Sequence, residues 1–283
     1  MRGQLSTVRP AGRLGNGAVS AVLLFLLIGT AFVLSSAKPA AAAGGDQGSS
    51  VAIVREGRYL YRFAMLQAAP GRLVELIDAL KRQAPLLVSA GDELPLIIQH
   101  HQGDHWDLLV IYPLGSYTEF YAPDRVAKRA AVAAGAPIVA FSALRPMLAW
   151  HEDLFVTGPP VEAVRGHVSG KGLLHFEMLQ ALPGKFDALV EERRMENRFN
   201  RERGRGQTLI FIHDQGAPWD VVTLGAYKDW HEYADSDKIP REVVELAARK
   251  AGFADAAGVG PYMRTLISTH RDTLGPLIPV SDR

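Results

Sequence analysis

The sequence contains no cysteine. Disulfide bonds, thiol catalysis, thiolate metal sites and lipid attachment at cysteine are therefore excluded. The chain also lacks an excess of charge of either sign, since 31 basic residues stand against 30 acidic ones. Nucleic-acid binding needs a clustered positive surface, so we expect no nucleic-acid partner.

Several catalytic motifs are missing as well. The chain has neither His-Glu-x-x-His nor Gly-x-Ser-x-Gly, and Gly204-Arg-Gly206 and Gly258-Val-Gly260 lack the strand–glycine–helix context of a nucleotide fingerprint. Zinc hydrolysis, serine hydrolysis and nucleotide binding are thus unsupported. The motifs predict neither a metal nor a cofactor.

The N-terminal segment is unlike the rest of the chain. Arg2, Arg9 and Arg13 precede an uncharged run over residues 18–34, and an Ala-x-Ala site follows at Ala41 to Ala43. This order predicts a signal peptide over residues 1–43 and a periplasmic or secreted protein. The run has 17 residues, near the lower limit for a bilayer span, so an uncleaved membrane anchor is the alternative. Residues 44–283 have 27 bases and 30 acids, a net charge of −3.

The chain contains the same unit twice. Residues 63–71, FAMLQAAPG, recur at 176–184 as FEMLQALPG, with seven of nine positions identical. The segment HHQGDHWD at 100–107 recurs as HDQGAPWD at 213–220, displaced by the same 113 residues. Two separated matches at one offset indicate an internal repeat. Later matches drift, to 110 at Leu224-Gly225 and to 119 at His270.

Each copy is predicted to hold four strands and two helical regions. Leu73, Leu76, Ile77 and Leu80 are spaced as one face of a helix, and strands flank it in the order β-α-β-β-α-β. That order is the ferredoxin-like motif. We therefore predict an α+β fold of two tandem repeats packed sheet to sheet as one pseudo-symmetric α/β barrel. The predicted divisions are a linker (44–57), repeat 1 (58–157), an inter-repeat linker (158–171), repeat 2 (172–275) and a tail (276–283).

Those shared segments also resemble a known superfamily. The Met-Leu-Gln-Ala-x-Pro-Gly segment before a helix, the His-x-Gln-Gly turn and the Trp-Asp pair are together similar to the dimeric α/β-barrel proteins, which include small monooxygenases and NIPSNAP-type and EthD-type proteins. The resemblance covers residues 58–272 and is architectural, because no catalytic motif matches residue by residue. It implies a barrel that holds a small molecule. Cofactor-free oxidative or isomerising chemistry and haem binding are among the activities it implies.

Strand alternation separates two sets of side chains on the first strand of each copy. Phe63 and Met65, with their counterparts in copy two, are predicted to pack under the helices. Arg62, His175 and Glu177 would then face the barrel interior. They would form either a structural ion-pair network or the polar part of a ligand site, because buried charge needs a partner.

Four histidines occupy equivalent strand positions in pairs. His100 and His213 end the second strands, and His151 and His270 lie in the fourth strands with an aspartate two residues on. Barrel closure could bring His100 near His270, and His213 near His151. A carboxylate fixes the tautomer of an imidazole, which suits proton transfer or ligation; the alternative is that these side chains satisfy local backbone groups.

The arginine-rich segment 191–205 is the remaining candidate surface. It is interpreted as a solvated helix with internal ion pairs, or as an anion-binding surface. We expect an exported protein that binds a small, mostly apolar molecule. A non-catalytic scaffold and a haem-binding barrel are the alternatives.

Overall fold

The computed structural model describes residues 55–280, apart from the side chains of residues 236 and 237. The predicted signal peptide and the candidate anchor lie outside the described residues. Within residues 55–280, no helix is both long enough and apolar enough to cross a membrane.

The first copy contains four strands and three helices. In chain order these are β1 (Tyr59–Ala68), α1 (Leu73–Ser89), β2 (Leu96–Gln99), β3 (Leu108–Gly115), α2 (Tyr117–Phe120), α3 (Pro123–Gly135) and β4 (Leu148–Gly158). The leucine spacing correctly predicts α1, which buries Leu76 and Leu80.

The predicted inter-repeat linker is partly helical, since α4 (Val161–Val168) buries three valines there. The second copy follows with β5 (Leu173–Ala181), α5 (Phe186–Glu202), β6 (Leu209–Gly216), β7 (Val221–Tyr227), α6 (Trp230–Ala234), α7 (Arg241–Ala251), α8 (Val259–Arg264) and β8 (Ile267–Gly275). In the predicted tail, β9 (Leu277–Ile278) pairs with β2.

The nine strands of residues 55–280 form one antiparallel sheet in the order β8-β5-β7-β6-β4-β1-β3-β2-β9. The first strand of each copy lies between that copy's fourth and third strands, so both copies have the same internal order. Strand β8, at one end of this order, also contacts the segment that follows β2, since the amide of Leu274 donates to the carbonyl of Gln102 at 3.0 Å. The fold class is therefore α+β, as predicted.

The register corrects one sequence alignment. Phe63 pairs with Ile111, and Phe176 pairs with Leu224, so the offset of 113 persists through the third strands and does not fall to 110. It also holds at the helix N-caps, where the side chains of Ser116 and Asp229 accept from the amide three residues on. The length change lies between these caps and the fourth strands.

The faces of β1 and β5 are the reverse of those predicted. Phe63 and Met65 lie in a core cluster with Phe176 and Met178, between the strands of the two copies. Ala64 instead packs with helix α1. Both faces of these strands are buried, so alternation separates the two sets without showing which set faces the helices. The bulky aromatic side chains fill the space between the copies, where a ligand was predicted.

Two equivalent glycines lie where one copy contacts the other. A Cβ on Gly103 would lie 1.7 Å from the carbonyl oxygen of Asp272, and one on Gly216 would lie 2.3 Å from that of Asp153. Both glycines also have positive φ, +117° and +101°. The recurring Gln-Gly dipeptide is thus explained by close backbone approach, which only glycine permits.

Candidate functional site

The helix-covered side of β5 and β8 holds a cluster of histidines and carboxylates. His175 Nε2 lies 3.1 Å from Asp272 Oδ1. His270 Nε2 lies 3.3 Å from the same oxygen and 3.4 Å from Glu177 Oε1. His175 and Glu177 alternate onto one face of β5, and Asp272 is the register partner of Glu177 on β8. One strand pair, β5 with β8, therefore places all four groups.

Helix α5 contributes the cation of this cluster. The Arg193 side chain is only 3% exposed, and its Nη1 lies 2.7 Å from Glu196 Oε2 and 3.6 Å from Glu177 Oε2. The hydroxyl of Thr223 also donates to Glu177 Oε2 at 2.6 Å. Arg193 is thus a buried ion-pair partner, and the interpretation of this position as part of a solvated helix is wrong.

The positive and negative groups of the cluster each stabilise the ionised form of the other. The carboxylates of Asp272 and Glu177 raise the pKa of His270 to about 9. Burial lowers the pKa of His175, but the hydrogen bond with Asp272 and the charge of Glu177 outweigh it and raise that pKa. Burial opposes ionisation of Glu177, yet His270 and Arg193 hold its pKa below the usual range. The arrangement can store protons on imidazoles beside fixed carboxylates.

A cavity of about 370 Å³ opens beside this cluster. His175, Glu177 and Glu196 form one part of its wall, and Arg203, Arg205 and two tyrosines form another. We call it the polar pocket. It lies between the sheet and α5, so it is on the opposite side of the sheet from the aromatic core.

The first copy has an equivalent cavity with different chemistry. Its volume is about 410 Å³, and apolar side chains from α1, α3, β3 and the turns before β4 form most of the lining. We call it the apolar pocket. Arg62 lines it at the position equivalent to His175. Its Nε lies 3.9 Å from Asp153 Oδ1 and its guanidinium covers the Tyr112 ring at 4.3 Å.

Arg62 therefore does not join His175 and Glu177. Each belongs to its own copy, and Arg62–Asp153 is the counterpart of His175–Asp272. The interior placement predicted for all three is wrong, because the interior face of each strand carries the aromatic residues.

The predicted approaches between histidines of different copies do not occur. The His100 ring centroid lies 5.5 Å from that of Trp106 in the inter-copy core, and His213 is in register with Val156 of that core. His151 instead contacts Phe141, and His270 contacts Glu177, on the helix side. The members of each predicted pair thus lie on opposite faces of the sheet.

Sequence comparison marked Arg193, which replaces Leu80 at offset 113, as a candidate site difference but did not pair it with Glu177, and it did not identify Thr223. A usable signal was present, because Ala64 and Leu80 of the first copy are replaced at offset 113 by Glu177 and Arg193. Two apolar positions of one core cluster in the first copy become an ion pair in the second. Simultaneous replacement by opposite charges indicates spatial contact.

Neither pocket presents an unengaged axial histidine for haem, which usually takes His, Cys, Met or Tyr. Among the described residues, the apolar pocket is lined by Tyr112 and Tyr121 without a histidine, and His175 of the polar pocket is bound by Asp272. Haem binding stays a prediction.

No family model matches the sequence, and no curated protein matches it. Several solved structures are similar to it in fold. An anthrone oxidase-like protein has a TM-score of 0.52 at 10% identity, covering 80% of this chain and 94% of that one. A mutant chlorite dismutase from Candidatus Nitrospira defluvii has a TM-score of 0.43 at 11% identity, with 80% and 93% covered. A haem-binding protein from Thermus thermophilus has a TM-score of 0.39 at 13% identity, with 80% and 92% covered. The likeness to the anthrone oxidase-like protein shows that the two chains share a ferredoxin-like α+β fold.

Proposed function

We propose that this chain is an exported protein that binds a small, mostly apolar molecule in its apolar pocket. We also propose that its two copies are tandem ferredoxin-like repeats packed as one pseudo-symmetric α/β barrel. Two contacts between the copies support the barrel. Phe155 pairs with Gln215, and the equivalent residues Leu274 and Gln102 form the other bridge.

The apolar pocket carries the functional proposal. Its volume of about 410 Å³ lies within the range of ligand sites, roughly 300–1,000 Å³. Phe120, Phe141, Phe155 and Tyr112 supply aromatic surface, which favours a flat, unsaturated ligand. Small side chains from α3 leave the space open, since Ala130 and Ala133 lie where larger residues would fill it.

Arg62 is the group that would orient the ligand. Its Nε is buried and lacks a hydrogen-bond partner, although buried polar atoms normally have one. A carbonyl or phenolate oxygen on the ligand would accept from this N–H. The lining thus matches a flat aromatic molecule with one oxygen at its edge.

The first compound to test is anthrone, since it has this shape and the anthrone oxidase-like neighbour shares the fold. Binding is measured by isothermal titration of the chain with anthrone under argon. The same samples in air test for cofactor-free oxidation, in which the methylene of anthrone becomes the carbonyl of anthraquinone and dioxygen is reduced to water. Anthraquinone is quantified by absorbance.

Two pocket-filling variants show which of the two pockets binds anthrone. Ala133→Phe fills the apolar pocket and should weaken anthrone binding by at least about tenfold, the effect of roughly 1.4 kcal/mol. Ala234→Phe fills the polar pocket and is the matched control, which should leave the affinity unchanged. Equal affinity for the wild type and Ala133→Phe would place the ligand elsewhere and reject the proposal.

The proposal of export rests on the N-terminal segment, in which basic residues are followed by an apolar run and then by an Ala-x-Ala site. Mass measurement of the protein recovered from the source cell's periplasm or medium tests it. A chain starting at Gly44 is expected. A full-length chain in the membrane fraction would support the uncleaved anchor.

A further inference from the structure

The cluster beside the polar pocket has the geometry of a metal site. One ligand atom each from His175, Glu177 and Asp272 lies within 4.8 Å of the other two. Ligands that share an ion at about 2.1 Å are roughly 3.0–3.4 Å apart in octahedral or tetrahedral geometry. The 3.1 Å between His175 Nε2 and Asp272 Oδ1 falls in that range, so these atoms need little movement to bind one ion.

His270 provides an independent observation. Its Nε2 is buried and makes no hydrogen bond, although it lies 3.3 Å from Asp272 Oδ1 and 3.4 Å from Glu177 Oε1. As an imidazolium His270 balances these two carboxylates, and a divalent ion that displaces its proton would take the same place between them. His270 is therefore within reach as a fourth ligand.

Surrounding side chains orient the central carboxylate. Thr223 donates to Oε2 of Glu177, and Arg193 approaches the same oxygen. Both contacts leave Oε1 directed at His270. Hydrogen bonds to a ligating carboxylate fix its orientation in metal proteins; here Thr223 of β7 supplies the hydrogen bond and Arg193 of α5 an ion pair.

We propose that His175, Glu177 and Asp272 bind a divalent transition-metal ion, with His270 as a further ligand. Imidazole with carboxylate suits zinc, manganese and iron better than calcium or magnesium, which prefer oxygen alone. The polar pocket adjoins the ligands and gives the ion access to solvent. This site is separate from the apolar pocket and goes beyond the function proposed above.

The first copy provides an internal comparison. Its residues equivalent to His175 and Glu177 are Arg62 and Ala64, a cation and a methyl group. Asp153 and His151 keep the ligand types of Asp272 and His270, so the first copy lacks two of the four ligands. The ligand set is therefore confined to the second copy, and one ion per chain is expected.

The experiment titrates chelator-treated full chain with Zn²⁺, and separately with Co²⁺, by isothermal calorimetry. One strongly bound ion per chain is expected, together with a rise in Tm, because an ion that binds the folded state stabilises it. Binding that is absent, or that needs millimolar metal, would overturn the proposal.

The double variant Glu177→Ala with Arg193→Leu is chosen so that the protein still folds. It places at both positions the residues of the first copy, where Ala64 and Leu80 belong to one apolar cluster. Glu192 loses its hydrogen bond from Arg193, so urea unfolding of the double variant checks that it folds. Affinity for Zn²⁺ should fall by at least about 100-fold, and the Tm rise should disappear. Glu191→Ala, at an exposed position of the same helix, is the control and should retain both. Unchanged binding in the double variant would place the ion elsewhere and refute the site.

Discussion

Glu192 is the most completely buried carboxyl group of the second copy, with 0% of its side chain exposed. Arg193 Nε donates to its Oε2 at 2.6 Å, but Oε1 is buried without a partner. Burial raises the pKa of Glu192 to about 7, against an ordinary value of 4.5. The folded protein therefore holds a proton here that the unfolded chain releases between these two values.

This difference predicts the pH dependence of stability. Between about pH 4.5 and 7 the folded state binds more protons at Glu192, so its contribution to the free energy of unfolding falls as pH rises. Glu192→Gln should remove this fall. The stability of the variant relative to wild type should increase from pH 5 to pH 8 by an amount on the order of 3 kcal/mol, at about 1.4 kcal/mol per pKa unit. Urea unfolding at four pH values measures it.

Glu191→Gln is the matched control, because Glu191 is adjacent on α5 but about half exposed, at 49% of its side chain. It should not reproduce the change. Parallel pH profiles for wild type and Glu192→Gln would show that Glu192 ionises normally in the folded state.

Among the elements, β1 and β5 show what the sequence could and could not predict. The strands, α1 and the sorting of residues into two sets follow from periodicity and are confirmed. The alternation does not show which set of side chains faces the helices, because side chains on both faces of these strands pack against other parts of the protein. The interior has room for Phe63 and Phe176 because strands of both copies enclose it. The helix side leaves Ala64 in contact with α1.

The site was only partly predictable for the same reason. His175, Glu177 and His270 were identified as chemically unusual, but their grouping depends on which face the strands turn to the helices. Arg193 lies on a helix whose other arginines are solvated, and composition alone makes it resemble them. Only its equivalence to the buried Leu80 of the first copy, at offset 113, distinguishes Arg193 from the other arginines of α5.

The contact between the copies gives a prediction at the level of strands. Gly103→Ala places a methyl group against the carbonyl of Asp272 and strains a positive φ. It should lower the free energy of unfolding by more than about 2 kcal/mol. Gly216→Ala should do the same at the equivalent contact with Asp153. Urea unfolding provides the measurement.

Gly91→Ala separates the effect of backbone strain at a positive φ from the effect of a steric clash between the copies. Gly91 also has a positive φ, +87°, but a Cβ there would meet nothing within 4 Å. Its loss should be confined to backbone strain, roughly 1 kcal/mol. If Gly103→Ala and Gly91→Ala cost the same, the close approach between the copies is not what requires glycine at position 103.

At the scale of the whole molecule, the described chain is held together by a core that neither copy completes alone. The inter-copy core contains Phe63 and Trp106 from the first copy and Phe176 and Phe211 from the second. The Phe176 ring centroid lies 5.6 Å from that of Phe63 and 6.3 Å from that of Trp106. Each copy also has its own cluster under its helices. The sequence predicted the duplication, but a shared aromatic core follows only from the strand faces that the structure provides.

A shared core implies that the two copies unfold together. Phe176→Ala should remove about 3–5 kcal/mol from the free energy of unfolding, as is usual for a buried phenylalanine. Hydrogen exchange followed by mass spectrometry should show amides of β1 and β5 losing protection by the same free energy, because one cooperative unit opens as a whole. Val74→Ala, at a side chain in α1 that is 71% exposed, should leave both strands protected. Loss of protection in β5 alone would mean that the copies are separate folding units, and that the aromatic contacts between them contribute little.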